Sequence, residues 1–179
     1  MIREKGYLTL LDAATRLKEL DILFRIDYVG GWYSKQAESE FRAAVIRLKL
    51  QSEIEHHGAV HERSRVKKFH MDADAFVLPS YYATEASPMS IIEALSAGTP
   101  VITTRQGGIP EMVKDGREAI LVDPKDPPAI AEAIIRLRDQ TVWKTMASAA
   151  YDRFESHYHP DIVRSKWIDL LQSVNLEDR

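Results

Sequence analysis

Glu85-Ala86-Ser87-Pro88-Met89-Ser90-Ile91-Ile92-Glu93-Ala94-Leu95-Ser96-Ala97-Gly98-Thr99-Pro100-Val101-Ile102 is the stretch on which the reading of this chain turns. Between Ala86 and Thr104 the only charged side chain is Glu93. A carboxylate in an apolar helix costs free energy to desolvate, so it is either satisfied by protein donors or kept for a ligand. Upstream, Ala75-Phe76-Val77-Leu78-Pro79 is a continuous apolar run of the kind found in a strand covered on both faces. Ser87 stands where an N-cap belongs and Pro88 at a first helical position, which predicts a helix from Pro88 to Ala97, stopped by Gly98 and Pro100. The free N–H groups near Met89 and Ser90 then face the carboxyl end of the strand. In an open parallel sheet that edge binds ligands, and a helix N-terminus there favours an anion such as phosphate.

Outward from this unit the chain alternates helix and strand. Leu10, Leu11, Ala14 and Leu17 give helical spacing to residues 7–20, and 22–29 read as a strand closed by Gly30-Gly31. Ser34 caps a helix through Leu48, followed by a short strand over 58–60 and a helix over 62–70. Further strands are predicted over 101–103 and 119–122, and helices over 127–138, 141–156 and 160–173. Such alternation predicts an α/β domain: Rossmann-like, three-layered, with a mostly parallel sheet.

With 179 residues, 45% of them apolar and 28% charged, the chain is long enough for one well-buried domain. It has no bilayer-length apolar run and no signal-peptide pattern at Met1-Ile2-Arg3-Glu4-Lys5, so a cytosolic location without a transmembrane segment is expected. A net charge of −3 gives no general attraction to nucleic acid. Of the six histidines, His56, His57 and His61 cluster, but no acid or cysteine sits at a zinc-site spacing, and no metal is expected.

Several residues carry a family resemblance. The glutamates Glu85 and Glu93, the run from Ile92 to Ile102 and the later Gly107-Gly108-Ile109-Pro110-Glu111 resemble the donor-binding, C-terminal half of retaining glycosyltransferases of the GT-B fold, family four. The match extends from Lys5-Gly6 to the last helix. The resemblance implies that Glu85 contacts the donor sugar and that Glu93 binds the ribose hydroxyls, a task suited to two carboxylate oxygens. By the same resemblance Lys5, in Glu4-Lys5-Gly6, binds the donor diphosphate. Met89 and Ser90 lie at the phosphates, the Gly107-Gly108 backbone approaches the donor, and Val60 lies by the nucleobase although its side chain should be mostly core. Arg3 is too close to Lys5 for the family's arginine and is given no role.

The resemblance also implies what the chain works with. A nucleoside diphosphate sugar is the donor substrate, with no further cofactor, and a hexose passes to a glycan, lipid or other acceptor. The acceptor side belongs to an N-terminal GT-B domain, supplied in cis or in trans, and any contact with the inner membrane would pass through that domain or a partner. The first strand of this half is expected to be missing, which makes self-association one way of covering an exposed edge. Residues 160–173 are a candidate crossover helix, with Trp167, Ile168, Leu170 and Leu171 either docking on the other domain or covering this one's own core. The alternative function is a non-catalytic nucleotide-sugar-binding or interaction module acting with a separate partner.

Overall fold

The computed structural model describes residues 1–177. A single 3-10 turn, Arg3–Lys5, leads into α1 (Tyr7–Glu19), β1 (Ile26–Tyr28), α2 (Lys35–Arg47), β2 (Ile54–His56), α3 (Arg63–Asp72) and β3 (Phe76–Leu78). There follow α4 (Met89–Ser96), β4 (Val101–Thr104), α5 (Ile109–Met112), β5 (Ala119–Val122), α6 (Pro127–Arg136) and α7 (Gln140–Arg153). A π-helical turn, Phe154–Tyr158, then joins α7 to α8 (Pro160–Glu177).

Every strand pairing is parallel, as the alternation of helix and strand requires. The strands form two groups, β1-β2 and β3-β4-β5, so β1 and β3 each have a bonded neighbour on one side only among the described residues. No strand precedes α1 among those residues. Helix α1 packs between α2 and α6, while α4 packs between α3 and α7, giving helices on both faces of the strands.

The period-two rule of a strand sorts the core into two halves. Ile102, Ile120 and Val122 point to the α1 side, where they join Leu10, Leu11, Ala14, Leu17, Phe41 and Ile130. Their neighbours Val101, Ala119 and Leu121 point the other way and join Leu78, Ile91, Leu95 and Ile109. Because both faces are covered, all residues of β4 and β5 are buried: β5 is apolar throughout, and the two threonines that end β4 are buried with their hydroxyls bonded to carbonyls.

Several boundaries differ from the sequence reading, and each for a local reason. β1 is three residues rather than the run 22–29, since Leu23 is 94% exposed and only 26–28 find partners in 54–56. β2 therefore precedes Gly58 instead of covering 58–60. Gly58, at φ +70°, belongs to the loop and accepts a hydrogen bond from the Gly30 amide. Ser34 caps α2 as expected, its Oγ accepting from the Ala37 amide at 3.1 Å. Ser87 does not cap α4. The N-cap is Pro88, without a side-chain bond, and Met89 becomes the first helical residue.

At the other end, α7 gives way to the π turn at Phe154. Helix α8 packs against that turn. Its apolar residues Trp167, Ile168, Leu170 and Leu171 are exposed, so they do not cover this domain's own core.

Candidate functional site

In parallel strands the carboxyl ends share one edge, and the loops that leave β3 and β4 lie there. Two threonines knit these loops together: Thr103 Oγ1 donates to the Leu78 carbonyl at 2.8 Å and Thr104 Oγ1 to the Ser80 carbonyl at 2.5 Å. Helix α1 begins at the same edge, because the Glu4 carbonyl accepts from the Tyr81 amide at 2.7 Å. Lys5 is thereby brought to Glu85.

The contact is direct. Lys5 Nζ donates to both oxygens of Glu85, at 2.8 and 2.6 Å, and Ser80 Oγ donates to Oε2 at 2.7 Å. Glu85 is only 5% exposed and therefore needs those partners. The sequence suggested an apolar setting for Glu93, and the structure buries Glu85 instead. Glu93 sits on the open face of α4 with its side chain 51% exposed, so no desolvation argument applies to it. Its titratable neighbour is His70, whose Nε2 lies 4.0 Å from Glu93 Oε2. Burial holds the His70 imidazole below its ordinary pKa, which favours the neutral ring.

Above Glu85 runs the loop that enters α5. The Gly108 amide donates to the Glu85 carbonyl at 2.8 Å, so the two loops share a backbone bond. Gly107 has φ +55°, and a Cβ there would lie 1.9 Å from the Glu85 carbonyl oxygen. At Gly108 a Cβ would lie 2.2 Å from the Ala86 carbonyl oxygen. Both contacts are backbone on backbone and cannot relax by a rotamer change. The two glycines are required by this close approach.

Met89 and Ser90 open α4 at the same edge, Met89 exposed and Ser90 half-buried. Lys5, expected to converge with their amides on one anion, has its ammonium bonded to Glu85, whose buried carboxylate needs a counter-charge. Val60 lies in the loop after β2, half-buried rather than mostly core. Arg3 pairs with Glu40 at 3.1 Å, away from Glu85.

Sequence reasoning missed two features. Ser80 is the fully buried hydroxyl that fixes Glu85, and only its position after a strand hinted at that. Asp27, Glu55 and His57 also meet, their candidate ligand atoms within 4.8 Å of one another, because the parallel register sets Asp27 beside Glu55. Arg25 Nη2 lies 2.8 Å from Asp27 and 2.7 Å from Glu55, so a guanidinium already neutralises that group. Two concavities, of about 410 and 360 Å³, lie against α1, and Glu85, Glu93, Gly107 and Gly108 line neither.

Residues 1–140 match the sequence profile of the family described as glycosyl transferases group 1, and the chain belongs to that family. WcaL of Salmonella typhimurium, a proposed colanic acid biosynthesis glycosyltransferase, is 28% identical over 184 residues, covering 97% of this chain and 43% of its own length. The chain thus spans less than half of that relative. Among solved structures, Anabaena Alr3699/HepE in complex with UDP superposes with a TM-score of 0.86 at 22% identity, over 96% of this chain and 46% of that one. The C-terminal domain of a glycosyl transferase group 1 family protein, LpcC of Francisella tularensis, superposes with a TM-score of 0.78 at 22% identity. It covers 89% of this chain and 83% of that domain. The fold is that of a Rossmann-like half of a GT-B glycosyltransferase.

Proposed function

We propose that the chain is the C-terminal, donor-binding half of a retaining glycosyltransferase, taking a nucleoside diphosphate sugar for hexose transfer and acting with an N-terminal domain in cis or in trans. The observation that carries this is the buried Glu85 carboxylate, held by Lys5 and Ser80 directly beneath the Gly107-Gly108 backbone at the carboxyl edge. UDP in the HepE complex and the C-terminal domain of LpcC support the reading.

In this reading the sugar hydroxyls replace the Lys5 ammonium on Glu85, and Lys5 turns to the diphosphate. Its charge then neutralises the leaving group as the bond between the sugar and the diphosphate breaks and a new one forms to the acceptor oxygen on the same face. Glu93, exposed on α4, accepts from the ribose hydroxyls, while the Met89 and Ser90 amides face the phosphates and Val60 lies by the base. The isolated half binds the nucleotide weakly and does not turn it over, since positioning of the acceptor is left to the other domain. Its place is the cytosol, and the unpaired edges of β1 and β3 leave self-association open.

Amide resonances recorded during titration with UDP, GDP and ADP test the reading. Shifts confined to residues 57–61, 85–93 and 105–109 are expected with one of the three. Saturating nucleotide that shifts none of these amides would end it.

A further inference from the structure

We infer that Arg153, far from Glu85 in sequence, is a positioning residue for the donor loop: it grips the C-terminal end of α5 and so fixes Gly107-Gly108 over Glu85. The inference rests on the donor-site reading above and adds to it a residue that the site motifs do not contain.

Arg153 closes α7, and its side chain is 12% exposed. Its Nε donates to the Met112 carbonyl at 3.0 Å and an Nη to the Glu111 carbonyl at 3.1 Å. Those two carbonyls end α5 and have no helical partner of their own, so a cation there satisfies them and complements the helix dipole. Tyr158 adds a second grip, its hydroxyl donating to the same Met112 carbonyl at 2.8 Å, while the guanidinium lies 5.8 Å from the Tyr158 ring centre.

The charge balance shows that the grip is built for this place. Glu118 is fully buried, with Oε1 3.6 Å from Arg153 Nε and accepting from the Lys114 amide at 2.9 Å. Its other oxygen has no hydrogen-bond partner. A buried carboxylate left half-satisfied is costly, and what it supplies is the counter-charge that allows a nearly buried guanidinium to spend its donors on two backbone carbonyls.

The link to the donor loop is short. α5 is one turn, about 6 Å long, so its two ends lie close together. Its far end is Gly108, whose amide is bonded to the Glu85 carbonyl. Releasing the Met112 end therefore leaves the Gly107-Gly108 end held by the buried Ile109 and the single Gly108–Glu85 backbone bond, and loosens it. Lysine at 153 would keep the charge but could not reproduce the fork that spans two carbonyls.

The test compares Arg153→Lys and Tyr158→Phe with the full wild-type chain by amide hydrogen exchange and by titration with UDP-glucose and UDP. With Arg153→Lys, exchange at Gly108 should rise about tenfold while Gly30, bonded to Gly58 in the other strand group, stays unchanged. Tyr158→Phe, which removes one hydroxyl only, should act in the same direction and more weakly. Affinity for UDP-glucose should fall several-fold more than affinity for UDP, because the loop lies over the glutamate assigned to the sugar. Equal exchange at Gly108 in all three proteins, or an equal rise at Gly108 and Gly30, would overturn the inference. A wild type that binds none of UDP-glucose, UDP, GDP and ADP overturns the donor-site reading instead, and the exchange result still decides whether Arg153 holds the loop.

Discussion

Lys5 and Glu85, 80 positions apart in sequence, form the tightest ion pair of the candidate site, with Nζ 2.6 Å from Oε2. The pair is asymmetric: the carboxylate is almost fully buried and the lysine side chain is 34% exposed. Removing the lysine strands a buried charge, whereas removing the charge from the glutamate strands only a lysine that can reach water. Lys5→Met should therefore destabilise the chain by about 2 kcal/mol, and Glu85→Gln in the same chain should recover most of that loss. Chemical denaturation of the two single variants and the double variant measures this. Additive losses would show that the pair contributes no coupling.

Glu93→Gln should leave stability within about 0.5 kcal/mol of the wild type, because the side chain is half exposed. A sharp fall in melting temperature would mean that Glu93 is held structurally, which its exposure argues against.

The fold was legible because its signals are local. The apolar run Ala119-Ile120-Leu121-Val122 and the β-branched Val101-Ile102-Thr103 read as covered strands, and their parallel pairing follows from the helix between them. The candidate site residues were legible through motif order. Their burial was not. Helical position alone does not say which face of α4 meets the core, so the apolar run around Glu93 does not show that Glu93 itself is half exposed. The partners of Glu85 come from the 3-10 turn before α1 and from the end of β3, a meeting that only the tertiary fold decides. Strand edges failed for the same reason: Ile22-Leu23-Phe24 is as apolar as any strand but pairs with no strand among the described residues.

Gly107→Ala should displace the donor loop, since the added methyl would meet the Glu85 carbonyl oxygen at 1.9 Å and the backbone φ is +55°. A loss of about 2 kcal/mol in stability is expected, with faster amide exchange at Gly108. Unchanged exchange would show that the loop accommodates a side chain and that the close approach is dispensable.

His70 gives a pH dependence with a definite sign. Burial lowers its pKa in the fold beneath the ordinary 6.5, so the unfolded chain binds the proton first. The stabilisation is complete above about pH 6.5 and is lost as pH falls from there toward the folded pKa. His70→Gln should flatten that part of the stability profile between pH 7 and pH 5. A profile equally steep with and without His70 would assign the effect to other groups.

The most direct test of the donor-site reading is calorimetric titration of the full chain with UDP, GDP and ADP, repeated on Glu93→Gln. One nucleotide should bind with one-to-one stoichiometry, and the variant should bind it about tenfold more weakly at unchanged melting temperature. No heat with any of the three, or equal affinity in wild type and variant, would contradict the account.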